Sequence, residues 1–288
     1  MKTNVLMAVF LVLSVVSAHS RGKLELVNTQ EISLDQKNVI NVLYRDENIS
    51  LLKGTSDTLI IKEYMTEGKN RYYARISDSA NTVTIEIGQR PFRPFFTFFK
   101  ARVEIYLPES FRSEVNIKTT DGRIDVPDEF NGANFRFETK DGDITVSTVT
   151  ADMISLKSSD GDIRCEYING NVSAESRDGK IELTLAGGVN AKTSDGNIRC
   201  TVINNVGNIS LITKDGKVQL DLPKDLIFRF SARTRDGRLS TPFADRLFSP
   251  INDRKLAEGV VGGDDISENS PRINIRTSDG SIKVNWLN

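Results

Sequence analysis

Acidic side chains recur along this sequence at a spacing that could bind cations. Eight Asp-Gly pairs lie between Val115 and Val284, at successive spacings of 20, 19, 18, 17, 20, 21 and 43 residues. The pairs are Asp121-Gly122, Asp141-Gly142, Asp160-Gly161, Asp178-Gly179, Asp195-Gly196, Asp215-Gly216, Asp236-Gly237 and Asp279-Gly280. Carboxylates along one corner of a repeating fold could line a track of Ca²⁺ sites, each of which needs six or more oxygens. Because the residues after the glycines are mixed in charge, we favour a structural turn role over calcium binding.

Histidine and cysteine offer little further chemistry. His19 is the only histidine and lies in or beside an N-terminal apolar segment, so the body of the chain has none for a Ser-His-Asp arrangement or a metal site. Cys165 and Cys200 each stand five residues after a repeat Asp, at an inward position, two repeats apart. Two steps of a parallel stack span about 9.6 Å, beyond the Cα reach of a disulfide. We predict two buried free thiols, with a disulfide as the alternative, and no catalytic, cofactor-binding or metal-binding residues.

Basic side chains beside the Asp-Gly pairs could form a stripe that binds anionic glycans. They are Arg177, Lys180, Lys214, Lys217, Arg235 and Arg238. The neighbouring carboxylates would neutralise much of this charge, so a solvated face of ion pairs is the simpler interpretation.

Each Asp-Gly pair is the centre of a phrase in which apolar and polar residues alternate. Apolar residues stand six and four positions before nearly every Asp, and three and five positions after it. A hydroxyl stands two positions before every Asp: Thr119, Thr139, Ser158, Ser176, Thr193, Thr213, Thr234 and Thr277. Alternation with a period of two predicts strands with one buried face. Asp-Gly between such strands predicts a tight turn, with Gly at positive φ and Asp accepting hydrogen bonds from backbone amides.

Two architectures fit this unit. Each Asp-Gly could be the tip of an antiparallel hairpin, or it could be one corner of a β-solenoid coil whose strands stack in parallel. Repeats of about 20 residues that cannot bury a face alone are typical of solenoids. We therefore predict an all-β, single-stranded parallel β-helix with coils of 17–21 residues, in which the hydroxyls stack as a ladder just inside the corner.

The chain divides into three regions. Residues 1–20 resemble a secretory signal, because Lys2 precedes an apolar core from Val5 to Val16 and a small-residue cleavage pattern. A membrane anchor is the alternative, but about 12 apolar residues are too few to span a bilayer. Residues 21–110 are predicted to form a β-rich cap or degenerate early coils, and residues 111–288 the Asp-Gly-repeat solenoid. Candidate strands of the second region are Val39–Tyr44, Ile49–Leu52, Thr58–Tyr64, Tyr72–Ile76, Val83–Ile87 and Arg102–Leu107.

Two stretches interrupt the pattern. The Phe-rich stretch 92–99 is either an exposed contact patch or a plug for the end of the solenoid, and burial is the commoner role of Phe. The long gap from Pro242 to Pro271 predicts one degenerate coil plus a loop. Trp286 follows the last coil and is expected to cover the end of the core.

The repeated Thr/Ser-x-Asp-Gly-x-Ile-x-Val phrase resembles a bacterial family of secreted or envelope β-solenoids, known as putative adhesins or domains of unknown function. The sequences Val-Glu-Ile-Tyr-Leu-Pro at 103–108 and Glu-Gly-Val-Val-Gly-Gly at 258–263 are also similar to that family. The resemblance covers residues 35–288. It implies a solenoid fold and brings no catalytic residues to this chain.

The sequence therefore predicts a non-enzymatic module for adhesion, interaction or envelope sensing that is secreted, periplasmic or on the cell surface. Its partner would be a protein or a glycan, because a net charge of −1 and a pI of about 6.0 give no reason to expect nucleic acid. The alternative is a carbohydrate-active enzyme of the parallel β-helix type. Such an enzyme would wall a cleft with long loops, whereas most spacings here stay at 17–21 residues.

Overall fold

The predicted all-β class is confirmed by a computed structural model, which describes residues 23–91, 99–204, 206–243, 255–262 and 266–287. Its strands are β1 (Glu25–Ser33), β2 (Val39–Leu43), β3 (Asn48–Gly54), β4 (Thr58–Met65), β5 (Arg75–Asp78), β6 (Thr82–Glu86), β7 (Ala101–Pro108), β8 (Glu114–Lys118), β9 (Ile124–Glu138), β10 (Ile144–Lys157), β11 (Ile163–Glu175), β12 (Ile181–Ala186), β13 (Val189–Lys192), β14 (Ile198–Val202), β15 (Ile209–Ile212), β16 (Val218–Leu222), β17 (Phe228–Thr234), β18 (Leu239–Ser240), β19 (Leu256–Val261), β20 (Arg272–Thr277) and β21 (Ile282–Trp286). All belong to one 21-stranded sheet. A 3₁₀ turn at Asn70–Tyr72 is the single helical element of the described ranges.

Two series of parallel strands make up most of the sheet. Strands that precede the turns form the first wall, in the order β6, β2, β8, β9, β10, β11, β13, β15, β20 and β17. Strands that follow the turns form the second wall, in the order β7, β3, β9, β10, β11, β12, β14, β16, β21 and β18. The long strands β9, β10 and β11 contribute to both walls. Each copy of the phrase therefore pairs with its neighbour in parallel, and the two arms of one turn do not form a hairpin.

The alternating residues of the phrase line a continuous apolar core. Val115, Ile117, Ile124 and Val126, around Asp121, are each at most 1% exposed. Burial of a Val or Ile side chain contributes about 1.5–3 kcal/mol, so this pattern fixes which face of each strand points inward. The same positions are buried in the other copies, except in the Asp236 copy, where Leu239 and Thr241 are only partly buried. That copy lies at the end of the stack.

The stacking order departs from the sequence order at the C-terminal end. β20 pairs with β15 and β17, and β21 pairs with β16 and β18, so the Asp279 copy lies between the Asp215 and Asp236 copies. In its described part the gap after Pro242 is not an extra parallel coil, because β19 pairs antiparallel with β17. Trp286 does not lie on the last strand of the stack, since a further copy lies beyond β21, but it packs against the core. Its ring packs 5.4 Å from that of Phe243.

The N-terminal region continues the stack. β2 and β3 lie beside β8 and β9, and the turn between them contains Asp46 and Glu47. Here Tyr44 occupies the position of the hydroxyl and Glu47 that of the Gly, so this copy is hard to identify in the sequence. β6 and β7 lie outside it, with β5 antiparallel to β6, β4 antiparallel to β7, and β1 antiparallel to β4.

Five of the six candidate strands in this region match observed strands within two residues at each end. The fourth was predicted to begin at Tyr72, which belongs to the 3₁₀ turn, and β1 was not predicted. The proposed signal at residues 1–20 and the Phe-rich residues 92–98 lie outside the described residues. Phe99 packs edge-on against Tyr72, with ring centroids 5.6 Å apart.

Candidate ligand-binding face

The turns of successive copies lie one above another in a turn column. In seven of the eight Asp-Gly turns, the buried hydroxyl two residues before the Asp donates to the Gly carbonyl of the neighbouring turn, and in the first copy Thr119 meets the Glu47 carbonyl instead. Ser176 Oγ, for example, lies 3.2 Å from the Gly161 oxygen. The same hydroxyl accepts a hydrogen bond from the Gly179 amide at 3.0 Å. The hydroxyls thus form a ladder that satisfies backbone groups which would otherwise be buried without partners.

Close approach of neighbouring backbones is what requires glycine in these turns. A Cβ on Gly179 would lie 1.9 Å from the Gly161 carbonyl oxygen. None of the eight turn glycines, all of them described, has φ in the left-handed region, whereas Gly170 and Gly187, outside the turns, have φ of 141° and 127°. The prediction of positive φ at the Asp-Gly pairs was therefore wrong. The carbonyl of one turn occupies the space that a side chain would need in the next.

Six of the eight turn aspartates, all of which the structure describes, meet cationic side chains. Arg177 donates to Asp160 of the neighbouring turn and to Asp178 Oδ2 at 3.2 Å. The amide-capping role predicted for Asp is taken by the hydroxyl ladder instead, because a hydroxyl can both accept from the Gly amide and donate onward. Lys180, also in the predicted basic stripe, pairs with Glu182 at 2.9 Å. The stripe beside the turns is thus largely a face of ion pairs.

The cysteines lie in the core, two copies apart. Leu183 pairs with Cys165 on one side and with Cys200 on the other, and both thiols are buried and free. Burial raises the pKa of both thiols, and that of Cys200, with a further contribution from the charge of Asp221, to about 12. A thiol that stays protonated is a poor nucleophile, so both behave as small apolar core residues.

A metal centre has no candidate ligands in the part of the chain that the structure describes. There, no group of three or more His, Cys, Asp or Glu side chains is placed to hold an ion. The turn aspartates, which suggested the calcium alternative, lie in a column but do not converge on a point.

The outward side of the first wall carries a row of small polar side chains that sequence analysis did not single out. We call this row the polar ladder. Its members lie opposite one another on six consecutive strands: Ser155, Ser173, Asn190, Ser210, Asn274 and Ser231. With strands about 4.8 Å apart, the polar ladder is about 24 Å long. A groove of about 630 Å³ lies along it, bounded in part by Met153, Asn171 and Arg272.

Charged side chains alternate in sign beside the polar ladder, and then the alternation stops. On five consecutive strands they are Lys118, Glu138, Lys157, Glu175 and Lys192. Lys118 Nζ lies 2.8 Å from Glu138 Oε1, which shows how opposite charges on adjacent strands pair. On the next three strands the same row continues with Ile212, Arg276 and Arg233.

Four arginines therefore lie together at the C-terminal end of the first wall. β17 and β20 bring Arg233 opposite Arg276 and, four residues earlier, Arg229 opposite Arg272. We call these four residues the arginine quartet. A second groove of about 640 Å³ is lined by Arg233, Arg276 and Glu258, among others. The sequence contains a signal for the quartet, since Arg stands seven and three residues before both Asp236 and Asp279. The signal lies outside the turns and is visible only when these two copies are compared.

Buried charges at the N-terminal end are arranged differently. Arg90 Nε donates to Glu47 Oε1 at 2.6 Å, and the Glu47 side chain is 4% exposed. Glu63 is fully buried and accepts hydrogen bonds from Asn28 Nδ2 and the Ala74 amide, both at 2.8 Å. Burial raises the pKa of the Glu63 carboxyl, although both hydrogen bonds and the charge of Arg90 oppose that shift. These groups hold the cap strands together and do not line either groove.

No helix in the described ranges has the length and apolar character to cross a bilayer. Among curated proteins, no match was found. Solved structures gave matches at low identity. A "putative adhesin" from Bacteroides fragilis is 14% identical with a TM-score of 0.49, covering 93% of this chain and 100% of its own. A "putative adhesin" from Parabacteroides distasonis is 14% identical with a TM-score of 0.45, covering 92% and 98%.

A third structure, a "putative adhesin" from Parabacteroides merdae, is 12% identical with a TM-score of 0.41, covering 94% of this chain and 99% of its own. The family comparison is more direct, because the Toastrack DUF4097 family matches residues 38–285. That range begins just before β2, runs through every Asp-Gly copy and ends within β21. The chain therefore belongs to the Toastrack DUF4097 family.

Proposed function

We propose that this protein is a non-enzymatic binding module that acts outside the cytoplasm, in adhesion or in interaction with an envelope component. The observation that carries the proposal is the polar ladder, in which hydroxyl and amide side chains repeat on six consecutive strands beside an open groove. A regular row of hydrogen-bonding groups suits an extended ligand that presents polar groups at intervals. The parallel pairing of both walls supports the finer interpretation of the fold as a single-stranded parallel β-helix.

The other polar groups of the fold support a structural role for the interior. The buried hydroxyls of the turn column bond backbone groups of neighbouring turns, and the buried carboxyl of Glu63 bonds Asn28 and Ala74. The alternative of a carbohydrate-active enzyme gains no support from the described residues. The proposed location outside the cytoplasm is supported by the signal-like residues 1–20. The small-residue pattern Val16-Ser17-Ala18 predicts cleavage after Ala18, with Ser20 as the alternative position, and N-terminal sequencing of the exported protein would test both.

Binding on an array of neutral and charged glycans tests the proposed function. Substituting tryptophan at two rungs of the polar ladder, Ser173→Trp with Ser210→Trp, should block the groove and remove the array signals. The matched control is Thr145→Trp with Gln219→Trp, since both residues are outward-facing and half-buried on the second wall. Signals that survive the first double substitution, or that are lost equally in the control, would contradict binding at this face.

A further inference from the structure

The arginine quartet places like charges side by side on adjacent strands. Arg229 is opposite Arg272, and Arg233 is opposite Arg276. Like charges directly opposite one another destabilise a sheet, and elsewhere on the first wall opposite signs alternate. The described ion pairs at this end of the stack use Lys214, Arg235 and Lys255 instead. Within the described residues, the quartet has no carboxylate paired to it.

Two buried polar atoms on this strand pair also lack hydrogen-bond partners within the described residues. They are Nε of Arg229 and Oδ1 of Asn274. Buried polar atoms in folded proteins are normally hydrogen-bonded, so each exception calls for an explanation. Asn274 lies on β20 midway between Arg272 and Arg276, and it is also a rung of the polar ladder. A hydrogen-bond donor without an acceptor and an acceptor without a donor therefore lie on the strand pair that carries the unpaired positive charge.

The geometry separates two positions where anions could bind. Four residues separate Arg229 from Arg233, and likewise Arg272 from Arg276, which is about 13 Å along a strand. Between the two arginine pairs lie Ser231 and Asn274, which can bond uncharged polar groups. The planar guanidinium fork matches the geometry of oxyanions such as carboxylate or sulfate.

We propose that the arginine quartet binds an acidic polysaccharide, with its carboxylate or sulfate groups at the two arginine pairs and its hydroxyls along the polar ladder. This inference rests on the proposed function and names the ligand class of the same face. Glu258 lines the second groove and accepts a hydrogen bond from Ser231 at 3.0 Å. Its charge opposes anion binding there, so Glu258→Gln should strengthen binding.

Other features of the face favour a polysaccharide over a polynucleotide. No aromatic side chain lines either groove in the described part of the chain, so the face offers no platform on which bases could stack. The Ser and Asn side chains of the polar ladder suit hydroxyl-rich sugars instead.

Binding of the mature protein to four defined polymers tests the inference. The polymers are polygalacturonate, dextran sulfate, neutral dextran and single-stranded DNA. We expect binding to one or both acidic polysaccharides that weakens as NaCl is added, with little binding to neutral dextran or DNA. Arg233→Gln with Arg276→Gln should weaken this binding about tenfold or more, because bonds to charged groups are among the strongest in proteins.

The matched control removes the same amount of charge from the second wall. Arg199→Gln with Lys283→Gln alters two exposed cations there and should leave the affinity within about twofold. The inference is overturned if neither acidic polysaccharide binds, if DNA binds equally well, or if both double variants lose affinity to the same extent. In that case, neutral glycans could still bind on the array, and Ser173→Trp with Ser210→Trp could abolish that binding. This result would support the proposed function and contradict only the acidic ligand.

Discussion

The two ends of the strand stack treat charge in opposite ways. At the N-terminal end, the Arg90 guanidinium is held by Glu47 at 2.6 Å, and the buried Glu63 is bonded by Asn28 and the Ala74 amide. At the C-terminal end, arginines lie opposite arginines, and the carboxylate on the adjacent strand, Glu258, bonds Ser231 instead. The N-terminal groups lie on the antiparallel strands β1 and β4 and in connecting segments, whereas the four arginines lie on the parallel strands β17 and β20.

This difference separates charges that maintain the fold from charges that are available to a ligand. A buried ion pair is costly to break because its remaining partner is left uncompensated. An exposed charge beside a like charge gains nothing from the fold, and its removal relieves repulsion. Loss of an arginine should therefore lower the free energy of unfolding at the N-terminal end and raise it at the C-terminal end. The largest change in the free energy of unfolding is expected in the turn column between the two ends.

The largest effect is expected at the turn column, which both ends share. In Gly179→Ala the new methyl would lie 1.9 Å from the Gly161 carbonyl oxygen, so the stack must part locally. We expect a loss of about 4 kcal/mol or more in the free energy of unfolding, at the upper end of single-substitution effects. Urea denaturation followed by circular dichroism measures it.

The control is the neighbouring residue. Asp178 bonds Arg177 at the surface, so Asp178→Ala should change the free energy of unfolding by about 0.5 kcal/mol or less. A chelator should leave the melting temperature of the wild type unchanged. If Asp178→Ala proved the more damaging variant, or if the chelator lowered the melting temperature, the close-contact account of these turns would give way to the calcium alternative.

The next largest effect tests the N-terminal end directly. Arg90→Gln leaves the Glu47 carboxylate 4% exposed and without its cation. We expect a loss of about 3 kcal/mol, at the lower end for buried pairs, because Arg90 keeps 19% of its side chain exposed. Thermal and urea unfolding measure the loss. If the free energy of unfolding changed by less than about 0.5 kcal/mol, as it does for ordinary surface substitutions, the Arg90–Glu47 pair would behave like an exposed ion pair. The contrast between the two ends would then be contradicted.

Glu63 makes the N-terminal end sensitive to pH. Its folded-state pKa is raised above the ordinary carboxyl value of 4.5, so the folded state holds the proton more tightly than the unfolded state. The contribution of Glu63 to stability is then complete below that ordinary value and is lost as pH rises through the raised pKa. Each unit of raised pKa corresponds to about 1.4 kcal/mol.

Glu63→Gln isolates this contribution, because glutamine cannot titrate and its amide oxygen can still accept from Asn28. We expect the free energy of unfolding of the wild type to decline, relative to the variant, as pH rises above 4.5 and through the raised pKa. Urea unfolding at a series of pH values gives the difference curve. Parallel curves for the two proteins would contradict the raised pKa of Glu63.

The smallest expected effect has the opposite sign and lies at the C-terminal end. Arg233→Gln removes one of two like charges on adjacent strands, so the free energy of unfolding should rise by about 0.3 kcal/mol. The gain should shrink in high salt, which screens exposed charges. Differential scanning calorimetry at two salt concentrations resolves it. If the free energy of unfolding instead fell by more than about 1 kcal/mol, Arg233 would be stabilising the fold and would not be a charge available to a ligand.

Much of the fold could be predicted from the sequence because one local rule repeats. Alternation with a period of two fixed the buried face of each strand, and the copies around Asp121 to Asp215 stack in chain order. The reason for glycine was not predictable from one copy alone. It depends on the distance between backbones of adjacent copies, as with the Gly161 oxygen beside Gly179.

The candidate face was harder to predict for the same reason. A Ser or Asn at an outward position, such as Ser210 or Asn274, is unremarkable in a single strand. Only pairing across strands shows that these residues form a row and that Arg229 lies opposite Arg272. The early copy at Asp46 and Glu47 escaped detection because Tyr44 replaces the Ser or Thr and Glu47 replaces the Gly. Its apolar positions, from Ile40 to Leu51, were predicted correctly as strands.

The place of β20 and β21 within the stack dictates the order in which the chain can be completed. These strands follow β17, β18 and β19 in the sequence, yet they fill a slot between β15 and β17 on one wall and between β16 and β18 on the other. A growing chain can therefore add copies in sequence order only as far as β16. Strands β17 and β18 have to wait for β20 and β21, so a truncation before Arg272 would leave both without their parallel partners.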